Sequence, residues 1–237
     1  MDSRTGSMTQ PAGLFVTIEG GEGCGKTTLA RALEGDLGPR ALFTREPGGT
    51  SLGRSLRALL LAGPAADSSL QPPKVGSLAE LLLFLADRAQ HVEETIEPAL
   101  SEGRVVVCDR FADSTLVYQG WARRGGLEGL LEVDKVAVAT GLGRLVPDLT
   151  ILLDAPPEVG LARARAAKKG SDRIEAESLA FHREIRAGFL KLAEFSPKRF
   201  VVLDATRPAD ELAEAALKAI TAKWAEPPET EASEGSP

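Results

Sequence analysis

Gly20-Gly21-Glu22-Gly23-Cys24-Gly25-Lys26-Thr27-Thr28 fits G-x-x-x-x-G-K-[ST], a loop whose backbone N–H groups cradle phosphate. Its surroundings fit as well. Leu14-Phe15-Val16-Thr17-Ile18 before it reads as a buried strand, and residues 26–37 after it read as a helix. Glycines let the backbone curl so that successive N–H groups face one anion. A helix N-terminus adds its dipole at the same point. In this pattern Lys26 reaches the β- and γ-phosphates of a nucleotide, and the Thr27 hydroxyl ligates Mg²⁺.

The chain has 237 residues, long enough for a substantial core. Its formal net charge of −6 argues against a generally basic nucleic-acid surface. A small polyanion would instead need a local basic pocket. The two cysteines, Cys24 and Cys108, make no disulfide framework and suit a reducing compartment. No window approaches the length of apolar sequence that spans a membrane. Residues 1–12 read as a disordered leader, and 225–237, rich in Glu, Pro and Ser, as a disordered tail. That leaves 13–224 as one expected domain.

Five apolar runs, 14–18, 41–44, 105–108, 149–153 and 200–203, alternate with helical patterns. Nearly continuous apolar strands are those covered on both faces. The pattern therefore predicts an α/β fold: a parallel sheet between layers of helices. Polar residues follow the runs directly, at Arg45-Glu46, Asp109-Arg110, Asp154 and Asp204. Ligands in such folds bind beyond the carboxyl ends of the strands. Residues 63–76, rich in Pro, Ser and Gly, read as a loop.

A long helix is expected over 77–100. Ser77 and Glu80 have the spacing of a capping box. Leu78, Leu81, Leu82, Leu85, Ala89, Val92, Ile96 and Leu100 form one apolar stripe. Phe84 and Arg88 lie off it, four residues apart and so side by side. A phenyl ring beside a guanidinium suits a flat ligand with a polar edge, and equally a peripheral core Phe beside a surface Arg. Val105-Val106-Val107-Cys108-Asp109 ends an apolar strand in a carboxylate, the usual complement to a phosphate loop at Mg²⁺. Arg110 follows at once. A further basic cluster comprises Arg163, Arg165, Lys168, Lys169 and Arg173. Such a cluster is commonly a solvated face, but phosphoryl transfer also needs positive charge that closes over the γ-phosphate.

Taken together, these motifs resemble the thymidylate kinase family over about residues 14–220. The phosphate loop marks only the superfamily. More specific are Thr44-Arg45-Glu46-Pro47-Gly48-Gly49-Thr50 and Asp109-Arg110-Phe111-Ala112-Asp113-Ser114-Thr115 with Tyr118-Gln119-Gly120. Pro147-Asp148-Leu149-Thr150 and Asp172-Arg173-Ile174-Glu175 are similar to bacterial members. The resemblance implies a P-loop NTPase fold of the nucleoside monophosphate kinase type, with a five-stranded parallel sheet. It implies a cytoplasmic homodimer that phosphorylates dTMP to dTDP with MgATP.

It also implies residue roles. Gly20, Gly21, Glu22, Gly23, Cys24, Gly25, Lys26, Thr27 and Thr28 would bind ATP phosphates, with adenine near Thr206 and Arg207. Thr27 and Asp109 would organise Mg²⁺. Phe84 would stack on thymine and Arg88 would bond the base edge. Arg57 and Arg110 would hold the dTMP phosphate. Ser114, Thr115 and Gln119 would line the base and sugar pocket, and Tyr118 would pack under the deoxyribose. Glu22 would approach the sugar 3′-OH or the metal, and Glu46 would order the acceptor side. Lys26 and Arg110 would be catalytic. The loop carries no arginine, so a lid at about 163–175 would supply the closing cation, from Arg165, Lys168 or Lys169, with Arg163 on the helix.

Two other readings stand beside this one. A kinase for another nucleotide or nucleoside would share the phosphate loop. A non-catalytic nucleotide switch would bind nucleotide and pass on no phosphate, although the guanine-reading N-K-x-D motif is absent.

Overall fold

The computed structural model describes residues 13–62, 75–139, 141, 144–167 and 173–225. The expected leader lies outside the described residues, as do most of loop 63–76, Lys168, Lys169 and all but the first residue of the expected tail. Strand β1 (Leu14–Gly20) runs into the phosphate loop, which opens α1 (Lys26–Leu37). Next come β2 (Ala41–Arg45), α2 (Ser51–Leu60) and α3 (Ser77–His91). A π-helical turn, Val92–Ile96, carries α3 into α4 (Glu97–Ser101). Strand β3 (Val105–Asp109) leads to the short α5 (Ala112–Thr115), a second π-helical stretch Leu116–Ala122, and α6 (Leu127–Ala139). The chain closes with β4 (Leu149–Asp154), α7 (Pro157–Ala167), α8 (Leu179–Phe195), β5 (Phe200–Asp204) and α9 (Ala209–Ala225).

The five strands form one parallel sheet in the order β2-β3-β1-β4-β5. All five expected runs are strands. Each extends one or two residues further, because the polar residues Glu19, Arg45, Asp109, Asp154 and Asp204 still pair in the ladder. The central strands β1, β3 and β4 are buried along nearly their whole length. The edge strands β2 and β5 are only partly covered, so expected burial on both faces fails there. One core layer packs α1 and α9 on the sheet through Leu29, Leu33, Ala216 and Ile220. On the other side Phe15, Val106 and Phe111 meet Ile96 and Ala99, while Leu152 meets Ile185 and Phe189. β1 thus has β3 on one side and β4 on the other, and connections leave in opposite directions. The phosphate loop sits at that switch point.

The expected helix over 77–100 is continuous in path but built in three pieces. The Ser77–Glu80 capping box does not form. Gly76 is the N-cap, Ser77 is the first helical residue, and no side chain caps the helix. Glu80 is instead buried and turned toward Gln119, Arg123 and Arg173. The apolar stripe is also split. Leu81, Leu85 and Ile96 are core, whereas Leu78 and Leu82 are exposed. The face turned inward carries Asp87, Arg88 and His91, all buried: Arg88 lines a polar cleft, Asp87 accepts from Gly48 N and His91 meets Glu46 behind it.

Candidate active site

The phosphate loop depends on backbone that only glycine adopts without strain. Gly20, Gly23 and Gly25 have φ of 141°, 67° and 94°. Gly23 also lies against the first turn of α7: a Cβ there would stand 1.8 Å from the Gly160 carbonyl oxygen. The Lys26 ammonium curls back to donate to the Gly20 and Gly21 carbonyls, at 3.1 and 2.7 Å. Burial, and then the neighbouring Arg110 charge, lower its pKa from the ordinary value. An anion accepting from that ammonium would relieve both effects.

A cleft of about 590 Å³ opens over this loop and continues across the carboxyl ends of β1, β2 and β3. Its wall includes Glu22, Gly23, Cys24, Gly25, Lys26, Thr27, Thr28, Asp109 and Arg207 on one side. On the other are Glu46, Arg57, Phe84, Arg88, Arg110, Ser114, Thr115, Tyr118 and Gln119. The fold therefore gathers in one cavity residues that lie far apart in sequence. Gly20, Gly21, Thr206 and Arg165 are not part of that wall. Thr206 turns back, its N–H and hydroxyl both donating to Asp204 Oδ1. Arg165 is exposed on α7. Arg163 is the α7 arginine that lines the cleft, and its Nη1 donates to the Ala205 carbonyl at 2.7 Å. Two residues on, Arg165 is about 200° further round the helix.

Thr27 Oγ1 donates to Asp109 Oδ2 at 3.1 Å. A hydroxyl and a carboxylate converging beside a phosphate loop are hard oxygen donors, a set that fits Mg²⁺ sharing its shell with phosphates and water. Among the described residues no three His, Cys, Asp or Glu side chains gather as a self-sufficient metal cage.

Arg110 joins the phosphate loop to the turn after β3. Its φ is 72°, the only positive value among described non-glycine residues. Its Nη2 donates to Glu22 Oε1 at 2.6 Å, and its Nη1 to Gly20 O and Ser114 Oγ at 3.0 and 3.2 Å. The guanidinium lies 5.1 Å from the Tyr118 ring centre, and the Tyr118 hydroxyl donates to Glu22 Oε1 at 3.0 Å. Burial alone would raise the Glu22 pKa. The charges of Arg110 and Lys26 outweigh it and hold the carboxyl at about 2. Burial pushes the Tyr118 phenol well up, so it remains a donor.

The far wall is equally ordered. Arg88 is buried, donates through Nε to Glu46 Oε2 at 3.0 Å and through Nη2 to Thr115 Oγ1 at 2.8 Å, and lies 4.8 Å from the Phe111 ring centre. Glu46 Oε1 takes His91 Nδ1 at 3.0 Å, and His91 Nε2 lies 2.6 Å from Thr44 Oγ1. This chain sets the plane of the guanidinium one helical turn from Phe84. Arg57 donates from Nη1 to the Pro47 carbonyl at 2.8 Å.

Sequence reasoning missed several of these partners. Glu19 is fully buried at the end of β1 and accepts from Phe111 N at 2.8 Å and Ser114 Oγ at 2.6 Å. Burial, and then the Asp113 charge, raise its pKa to about 7. Its signal was a lone carboxylate at the end of an apolar run. His91 and Asp87 had no such signal, since a helical pattern does not say which polar side chains turn inward.

This fold and site define a phosphate-loop phosphotransferase, with one continuous cleft that runs from the loop past Arg110. A family model described as Thymidylate kinase matches residues 18–216. The chain is 47% identical over 216 residues to a thymidylate kinase of Desulfosudis oleivorans, covering 87% of this chain and 96% of that protein. It is 49% identical over 203 residues to one from a Synechococcus species, covering 84% and 90%. A crystal structure of thymidylate kinase from Ehrlichia chaffeensis superposes with a TM-score of 0.63 at 30% identity, covering 88% of this chain and 99% of that one. The chain belongs to the thymidylate kinase family. Its activity is that of a dTMP kinase, phosphorylation of dTMP to dTDP.

Proposed function

We propose that residues 13–224 work as one domain that transfers the γ-phosphoryl group of MgATP directly to dTMP. The observation that carries this reading is the continuity of the cleft. Lys26 and the phosphate loop line the same cavity as Phe84 and Arg88, with Asp109 and Arg110 between them. Transfer without a covalent enzyme intermediate needs little beyond alignment and charge neutralisation.

In this reading Lys26, the loop N–H groups and Thr28 hold the donor phosphates, with adenine toward Arg207 and Thr206. Thr27 and Asp109 hold Mg²⁺, which when bound neutralises phosphate oxygens. Arg57 and Arg110 grip the acceptor phosphate. Phe84 stacks on thymine, Arg88 reads its edge, and Ser114, Thr115 and Gln119 line the pocket. Tyr118 lies under the deoxyribose, with Glu22 near the 3′-OH or the metal, and Glu46 orients Arg88. The lid cation comes from Arg165, Lys168 or Lys169.

The homodimer finds support in exposed leucines on packed helices: Leu52 and Leu59 on α2, Leu78 and Leu82 on α3, Leu127 and Leu131 on α6. Apolar side chains exposed on neighbouring helices would suit an interface between copies, and light scattering would report the assembly. Two free buried thiols, Cys24 and Cys108, accord with a cytoplasmic setting. No described helix is long and apolar enough to cross a membrane.

A coupled ADP-release assay with dTMP, dUMP, dCMP, dGMP and AMP tests the reaction. dTMP should be fastest and dUMP slower but present. Nucleotide binding without transfer to any acceptor would overturn the reading in favour of a switch.

A further inference from the structure

Glu80 is 1% exposed and belongs to neither the donor nor the acceptor contacts described above. Its Oε1 accepts from Gln119 Nε2 at 2.9 Å and from Arg123 Nε at 3.0 Å. Its Oε2 accepts from Arg173 Nη2 at 2.5 Å. Arg173 Nε in turn donates to the Leu60 carbonyl at 3.0 Å, at the end of α2. Arg123 continues to Glu177 at 3.1 Å and lies 5.0 Å from the Phe181 ring centre. One carboxylate thus joins α2, α3, the π-helical stretch before α6 and the segment before α8.

Three of the pieces it joins wall the acceptor half. Gln119 lines the cleft, as do Leu61, next to the Leu60 carbonyl, and Ile174 and Glu175, next to Arg173. Ile174 is buried in the cluster that holds Tyr118 and Phe189. Burial alone would raise the Glu80 pKa, but the bonds from Gln119 and Arg173 outweigh it and keep the carboxyl below its ordinary value. A charge so enclosed is costly to leave unpaired. Its removal would leave Arg123 and Arg173 close together without the carboxylate they share.

We propose that Glu80 is a positioning residue for acceptor recognition, which ties the wall at 173–175 to Gln119 and so sets the width of the acceptor pocket without touching the acceptor. A π-turn supports the assignment. Gln119 sits within Leu116–Ala122, whose wider helical register is the kind found at functional sites. The proposal rests on the dTMP-acceptor reading.

The test is steady-state kinetics of the full-length enzyme and its variants Glu80→Ala, Glu80→Gln and Arg173→Ala, with KM for dTMP and for ATP measured separately and unfolding followed in parallel. Loss of a charge-assisted hydrogen-bond set predicts a rise of about tenfold or more in KM for dTMP in Glu80→Ala, with KM for ATP within about twofold. Glu80→Gln, which keeps one acceptor and the shape, should recover part of that loss. Arg173→Ala should reproduce the defect, and the double variant Glu80→Ala/Arg173→Ala should be no worse than the more severe single one. Should Glu80→Ala fail to fold, Glu80→Gln and Arg173→Ala decide. An unchanged KM for dTMP, or equal losses for both substrates, would overturn the positioning role and leave a purely structural one. Absence of dTMP turnover in the unaltered enzyme would instead overturn the acceptor reading, and this proposal with it.

Discussion

Glu22 and Arg110 are joined by a 2.6 Å ion pair across the boundary between the phosphate loop and the turn after β3. The same Glu22 oxygen takes the Tyr118 hydroxyl. One carboxylate therefore orients a cation and a ring that both line the cleft. Replacing it in Glu22→Ala leaves Arg110 beside Lys26 without its anion. A lost charge-assisted contact of about 1.5–3 kcal/mol should lower kcat/KM for dTMP by about ten- to a hundredfold. Initial rates at varied dTMP check this, and an unchanged kcat/KM would show that Arg110 is held by Gly20 and Ser114 alone.

In the proposed reading, Lys26→Ala removes the ammonium that meets charge building on the phosphates. Loss of one such group should cost about 10²–10³-fold or more in kcat. Circular dichroism should show the fold intact, since burial already disfavours this charge in the folded chain. Near-normal turnover in a folded variant would refute its role.

Glu19 makes the fold less stable as pH rises toward neutrality. Its folded pKa of about 7 stands above its ordinary value of 4.5, so the folded chain binds the proton more tightly than the unfolded one. Its contribution is full below the unfolded value and is lost as pH rises through about 7. The unaltered chain should therefore lose up to on the order of 3 kcal/mol from this group between those limits. Glu19→Gln should flatten that part of the stability profile. Denaturant unfolding from pH 4.5 to 8 reads the difference, and parallel profiles would mean that Glu19 stays charged.

Base and sugar choice should separate by residue. Phe84→Ala should raise KM for dTMP far more than KM for ATP, and one methyl makes dTMP better than dUMP by about 1–3 kcal/mol. Tyr118→Ala should narrow the preference for dTMP over ribothymidine monophosphate. Tyr118→Phe should keep it, because the ring and not the hydroxyl opposes a 2′-OH. An unchanged ratio in Tyr118→Ala would leave Tyr118 as a packing residue against Phe181 and Phe189.

Arg163 and Arg165 lie two residues apart on α7 but differ in what they reach. Arg163→Ala should mainly raise KM for ATP, since Arg163 lines the cleft beside Ala205 and Arg207. The combined change Arg165→Ala/Lys168→Ala/Lys169→Ala should lower kcat by more than about tenfold with little effect on KM for dTMP, the mark of a transition-state contact. A smaller loss would make that cluster a solvated face.

The phosphate loop, all five strands and the Phe84–Arg88 pair were legible because each is local: a glycine pattern, an apolar run, a four-residue spacing. The partners of those residues were not. Glu80 fits a capping box by spacing, yet Arg173, Arg123 and Gln119 draw its carboxylate inward. Glu19 lies past the expected run 14–18, yet it pairs within β1 and holds the turn that carries Arg110.

The sequence by itself determined which loop curls in the form that suits phosphate and which strands build the sheet, since backbone freedom at glycine and burial of apolar runs act within a few residues. Only the tertiary structure decided which charges meet. Glu22 and Arg110 are 88 positions apart and Glu80 and Arg173 are 93 apart. The first pair forms because the parallel strands β1 and β3 deliver their carboxyl ends to one edge, and the second because helix packing buries Glu80, where a charge must find a partner or remain uncompensated.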